Sequence, residues 1–348
     1  MRSWGPTKKL NGLYTSFGSR RGVEIVERKK HSFMVHQSQY RPLGTSGLTV
    51  SPLGVGTNRW AYGTNTDAVF QAFQTSVDAG VNFFDTAEVY TGGKSERLLG
   101  TCIQQDRRPV LLASNFAPLP TRLSRRQFLN ALDASLGRLG VQAIDLYYVH
   151  WPFTLLRIEA LMDWMAQAVE AGKIRAVGVS NFSAPQMRRA AERLARYQIP
   201  LAANEVHYSL VHRQPEVNGV LEACRELNVA LVAYRPLEGG QFRSRATLDG
   251  MAESSPATGR NETASSMLRG ALQAIAQQHN TSISQVVLNW LLRRDGHVIP
   301  IPGTTSAQHA QENADTLNWR LSDAAFATID EVSARHHREL RSRERSAP

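Results

Sequence analysis

Apolar and polar positions along this chain follow two alternating periods. From Tyr40 onward, short apolar runs recur: SPLGVGT (51–57), VNFFDTA (81–87), VLLASN (110–115), IDLYYVH (144–150), IRAVGVS (174–180), LAANEV (201–206), VALVAYR (229–235) and HVIPIPG (297–303). Each is rich in Val, Leu, Ile or aromatic residues, as a strand buried on both faces should be. Between and after them lie stretches with apolar residues at helical spacing: 67–79, 95–105, 124–139, 158–171, 184–197, 215–227, 265–279, 283–294 and 307–317. In SRRQFLNALDASLGRLG, Ser124 can cap, Phe128, Leu132, Leu136 and Leu139 recur on one face, and Gly140 stops the helix. Ser306 can cap the 307–317 helix in the same way.

Eight strands, each followed by helix, predict an α/β fold of the (β/α)₈ TIM-barrel class. A doubly wound sheet would need a glycine-rich phosphate turn after the first strand, and GVGTNRWAYG is a poor match. YRPLGTSGLTVSPLG, with Gly44 and Gly47 about a turn, reads as a β-hairpin before the barrel. The stretch 236–264 is Gly/Ser-rich without a period and reads as a mobile loop at the active-site rim.

The formal net charge of +10 raises the question of nucleic acid, and its placement answers it. Residues 1–36 hold eight Lys/Arg against two Glu, and 335–348 hold five Arg against two Glu. Nine of the ten net charges therefore sit at the ends, and a nucleic-acid surface on the body is not expected. The expected organisation is a disordered basic leader (1–36), a barrel (37–335) and a disordered basic tail (336–348), with RHHREL at its start. The leader lacks the apolar core of a signal peptide. Its basic, Ser-containing character leaves plastid import open, although Glu24 and Glu27 count against it. A leader translated upstream of a start at Met34 is the preferred reading.

No apolar run reaches the roughly 18 residues of a membrane span. Cys102 and Cys224 have no metal or redox spacing and read as reduced thiols of a cytoplasmic protein. No zinc or iron motif is present. The pattern says nothing of oligomeric state.

In such barrels the reactive groups come from the carboxyl ends of the strands. Here those ends carry Asp85 with Tyr90 just beyond, Asn115, His150, Ser180 and Asn181, Glu205, and Tyr234 with Arg235. The segments FFDTAEVYTGGKSERLLG, DLYYVHWP, VGVSNFS, NEVHYSL, AYRPL and IPGTTSAQHAQEN, in this order, give the chain a resemblance to the aldo-keto reductase superfamily, most like its plastid and cyanobacterial branch. The resemblance runs from about Tyr40 to Arg335.

It implies an oxidoreductase that reduces a small carbonyl substrate with NADPH, NADH being possible. Tyr90 would donate the proton, His150 would hold the substrate oxygen, and Asp85 would pair with a lysine. Asn115 stands where the resemblance puts that lysine. A phenol has a pKa of about 10, and a nearby ammonium lowers it toward working pH. Asn115 can donate a hydrogen bond to Tyr90 without supplying that field, and Asp85 is left without a counter-ion. Part or all of a general-acid contribution of about 10²–10⁴-fold is expected to be lost.

On the cofactor side, the resemblance implies Ser180 and Asn181 at the nicotinamide carboxamide and Tyr234 stacked on its ring. Glu205 replaces a glutamine there, and in AYRPL (Arg235, Pro236, Leu237) an arginine replaces a serine. Arg235 could bind phosphate, or reach Asp85 or Glu205 and balance their charge. Thr305, Ser306 and His309 fall near the 2′-phosphate, and Glu312 and Asn313 on the adenine side. Two functions follow. One is a reductase with altered catalysis. The other is a catalytically weak nucleotide-binding sensor or scaffold, favoured by Asn115, Glu205 and Arg235.

Overall fold

A computed structural model describes residues 39–152, 155–240, 242 and 264–346. The described residues open with an antiparallel hairpin, β1 (Arg41–Pro42) and β2 (Thr49–Val50). Gly44 and Gly47 turn it, both in the left-handed region (φ +57 and +79), where a Cβ is strained. Leu43 and Val50 are fully buried against the barrel interior.

Eight parallel strands follow: β3 (Val55–Gly56), β4 (Phe83–Asp85), β5 (Leu111–Phe116), β6 (Ile144–Val149), β7 (Ile174–Ser180), β8 (Leu201–His207), β9 (Ala230–Tyr234) and β10 (Val298–Pro300). Each pairs with the next in chain order. The first and last strands then meet: Gly54 N donates to Pro300 O at 3.0 Å and Gly56 N to Pro302 O at 3.4 Å, with a parallel bridge between Gly56 and Gly303. The sheet is thus closed into a (β/α)₈ barrel, in agreement with the expected fold.

The helices α1 (Thr66–Asp78), α2 (Lys94–Asp106), α3 (Arg125–Leu139), α4 (Ile158–Glu170) and α5 (Ala184–Ala195) each follow a strand. Ser124 caps α3 with a reciprocal bond from Gln127, and Gly140 ends it at φ 69. Where one helix over 215–227 is expected, there are two, α6 (Gln214–Val217) and α7 (Val220–Glu226). Gly219 stands between them at φ 81, a conformation that no right-handed helix passes through. After β9 come α8 (Ala264–Gln278) and α9 (Ile283–Arg294), and after β10 α10 (Ala307–Asp315) and α11 (Asp323–Ser346).

The last helix corrects the expected disordered tail. Ile329, Ser333, His336 and His337 continue one buried stripe at helical spacing, and His337 Nδ1 lies 3.2 Å from Val211 O. RHHREL therefore belongs to the body of the protein. The leader (1–36) and most of the 236–264 loop lie outside the described residues. Among the described residues no helix is long and apolar enough to cross a membrane, and Cys102 and Cys224 are free and buried.

Candidate active site

Side chains two apart on a strand share a face. Phe83, Ala113, Leu146, Ala176, Ala203 and Val232 fill the barrel interior. One step further along each strand, Asp85, Asn115, Tyr148, Gly178, Glu205 and Tyr234 take the same inward side, and another step brings His150 and Ser180. The sequence therefore delivers polar groups inward only at the carboxyl ends. Gly178 makes room for Tyr148, since a Cβ there would stand 2.4 Å from ring carbon Cδ1.

These ends open into one cavity of about 500 Å³. Asp85, Tyr90, His150, Ser180, Asn181, Glu205, Tyr234, Arg235, Pro236, Leu237 and Thr305 line it. Asn115 is fully buried and does not reach the wall. Ser306, His309, Glu312 and Asn313 also stand off it. Ser306 caps α10 by accepting from His309 N at 3.3 Å, and Glu312 O accepts from Gln285 Nε2 at 2.9 Å. Asn58, Arg59, Gly303 and Thr304 line the cavity without having been singled out from the sequence. The rule that found the others, polar residues just past a strand end, also covers Asn58 and Arg59.

Tyr90 opens a tight turn in which Thr91, Gly92 and Gly93 are all left-handed (φ 51, 63 and 79). The approach to it is held by Glu88, whose Oε1 accepts from Ala117 N at 2.7 Å and pairs with Arg122. The Tyr90 ring meets His150 edge-to-face, centroids 6.0 Å apart. His150 Nδ1 has no partner. Its carbonyl accepts from Asn181 Nδ2 at 3.0 Å, and Asn181 Oδ1 accepts from Tyr234 OH at 3.0 Å. Asn181 is left-handed (φ 61), an arrangement that asparagine tolerates. Ser180 Oγ donates to Glu205 O at 3.0 Å.

The Asn115 amide does not serve Tyr90, as the sequence suggested. Its Nδ2 donates to Thr86 O at 3.1 Å and to Glu205 Oε2 at 3.3 Å. The carboxyl of Glu205 occupies the inward position of β8. Asp85 Oδ2 has no hydrogen-bond partner, and among the described residues neither Asp85 nor Glu205 is in an ion pair. Arg235, expected either at a phosphate or beside these carboxyls, is exposed, with its nearest carboxylate, Glu238, 3.9 Å away.

The electrostatics follow first from burial and then from the two carboxyls acting on each other and on Tyr90. Burial, and then the neighbouring Glu205, push the Asp85 carboxyl well above the usual range. Burial raises Glu205 to about 7 against hydrogen bonds from Asn115 and Ser180. Burial, Glu205 and Asp85 together push the Tyr90 phenol up, away from working pH. Desolvation lowers His150 to about 4, so the imidazole is neutral near pH 7. Among the described residues no cluster of His, Cys, Asp or Glu could hold a metal ion.

The implied dinucleotide fits what lines the cavity. Tyr234 offers a ring at the wall, the Glu205 carboxyl an oxygen for an amide, and Arg235 a loosely held cation for a phosphate.

The sequence pattern of the Aldo/keto reductase family matches residues 52–334, and the chain belongs to that family. It is 34% identical over 304 residues to the chloroplastic pyridoxal reductase of Arabidopsis thaliana, covering 79% of this chain and 81% of the relative. Against the NADP(+) aldo-keto reductase yakc of Schizosaccharomyces pombe the identity is 35% over 301 residues, covering 78% and 84%. An aldo/keto reductase of Klebsiella pneumoniae solved with NADP and acetate superposes with a TM-score of 0.70 at 28% identity, covering 84% of this chain and 95% of that one.

Proposed function

We propose that this protein is an NADPH-dependent oxidoreductase that reduces an aldehyde or ketone to the alcohol, with catalysis altered by Asn115. The observation that carries the reading is Tyr90 and His150 edge-to-face in the strand-end cavity. Relatives that carry NADP in their names or complexes support the cofactor, and Tyr234, Ser180, Asn181 and Arg235 are the residues that would hold it. Bound there, it supplies the hydride.

His150, neutral and with a partnerless Nδ1, orients the carbonyl oxygen. Tyr90 delivers the proton to that oxygen, slowly, because its phenol is held above the ordinary value. The alternative is a sensor or scaffold that binds the nucleotide and turns over little. Asn115, locked between Thr86 and Glu205, favours that reading. The test is NADPH oxidation with a panel of reactive aldehydes. Turnover well above buffer supports the reductase, and tight NADPH binding without turnover supports the sensor.

A further inference from the structure

We infer that this cavity, besides a carbonyl, takes and prefers a substrate that is cationic at its reacting end, an iminium carbon–nitrogen double bond. The inference rests on the reductase reading above and names its substrate class. Its basis is the pair Asp85 and Glu205, 1% and 2% exposed, both lining this cavity. A buried carboxyl is matched by a cation or else keeps its proton, which a ligand cation can displace. Here Asp85 Oδ2 has no hydrogen-bond partner, and among the described residues Glu205 is met only by the neutral side chains of Asn115 and Ser180.

The remaining groups do not meet the need. Tyr90, Tyr148 and Tyr234 face the pair with phenols held above their ordinary value, so they are uncharged. His150 is neutral. Arg59 and Arg235 line the cavity but are exposed, and among the described residues neither pairs with Asp85 or Glu205. The missing charge is one that a ligand can bring.

The chemistry agrees with the charge. Reduction of a carbonyl builds negative charge on oxygen and calls for a tuned acid, and two carboxyls oppose both. Reduction of an iminium needs no proton. Hydride from the dihydronicotinamide forms the new C–H bond, the C=N π pair becomes the nitrogen lone pair, and NADPH is oxidised to NADP⁺. The positive charge only moves from substrate to cofactor, inside a site that favours cations throughout.

The test compares the N-methyl dihydroisoquinolinium cation with tetralone, a neutral ketone of the same bicyclic frame. Binding to the full-length protein without cofactor is measured by calorimetry at about pH 8 and about pH 5.5. The cation is expected to bind at least tenfold more tightly at the higher pH, and less so at the lower, where Glu205 is protonated. Glu205→Gln should abolish most of the advantage. NADPH oxidation should run at least tenfold faster with the cation. Equal binding of the two compounds, or an advantage indifferent to pH and to Glu205→Gln, overturns the inference. Reactive aldehydes oxidising NADPH while the cation does not would overturn it and leave the reductase reading intact. Failure to bind NADPH at all would overturn both.

Discussion

Asn115 Nδ2 donates to Glu205 Oε2 across 3.3 Å and so ties the inward end of β5 to that of β8, with two strands between them in the sheet order. The neutral amide has no charge to set against burial and the two carboxyls, which push the phenol of Tyr90 up. A lysine at this position would place an ammonium among Asp85, Glu205 and Tyr90. Asn115→Lys is expected to raise the rate of aldehyde reduction about a hundredfold, about 2.7 kcal/mol. It should also abolish any preference for a cationic ligand. A natural protein that reduces aldehydes well and is slowed by the lysine would show that another group tunes the acid.

Two buried titrations act on stability in opposite senses. The Glu205 carboxyl is raised to about 7 from an ordinary 4.5. The folded state therefore holds a proton that the unfolded chain has lost, and the contribution present below about pH 4.5 is lost as pH rises to 7. Asp85 acts in the same sense. His150, lowered from 6.5 to about 4, does the reverse: its contribution is present above pH 6.5 and lost as pH falls toward 4. The two offset each other between about pH 4.5 and 6.5. In Glu205→Gln, denaturant midpoints should fall more steeply with acidification than in the natural protein. In His150→Asn they should rise. Parallel profiles in all three proteins would refute the assignment.

The barrel was legible because its strands are buried on both faces and its helices on one, so the two periods separate cleanly. The site was legible for a related reason. Inward parity carries apolar residues until the last step, where Asp85, Asn115, Glu205 and Tyr234 break the pattern. What the sequence could not give is which polar groups pair. The resemblance sets Asn115 beside Tyr90, yet the amide turns to Glu205, 90 positions away. Arg235 was open between phosphate and carboxyl partners, and only the structure shows it with Glu238 at 3.9 Å instead of Asp85 or Glu205. The last helix was missed because its arginines suggest a tail, while the stripe beneath them is made of Ser333, His336 and His337 rather than aliphatic residues.

The loose pairing of Arg235 carries a separate expectation about the cofactor. Its guanidinium is exposed and 3.9 Å from Glu238, so little of its charge is spent within the protein. Arg235→Ala should weaken NADPH binding about tenfold, through loss of one charge-assisted contact, with the thermal midpoint unchanged within error. Fluorescence titration of NADPH provides the measurement. Unchanged affinity would remove Arg235 from the cofactor site.

Behind the site, Glu96 is fully buried at the start of α2 and serves β5 from outside the barrel. Its Oε1 accepts from Ser114 Oγ at 2.7 Å, and its Oε2 from Arg138 Nε at 2.5 Å. Arg138 also donates to Ser135 Oγ at 2.9 Å. This network fixes Ser114, and through it the orientation of Asn115 one residue on. Removing one partner of a buried ion pair leaves the other charge uncompensated, at a cost of about 3–5 kcal/mol. Arg138→Leu should destabilise the protein by about that amount in urea, whereas the double variant Arg138→Leu with Glu96→Gln should recover a large part of it. Equal destabilisation in the single and double variants would mean that the packing of the Arg138 stem, not its charge, holds α3 to α2. Recovery of stability with lost activity would show that Glu96 is also needed to position the end of β5.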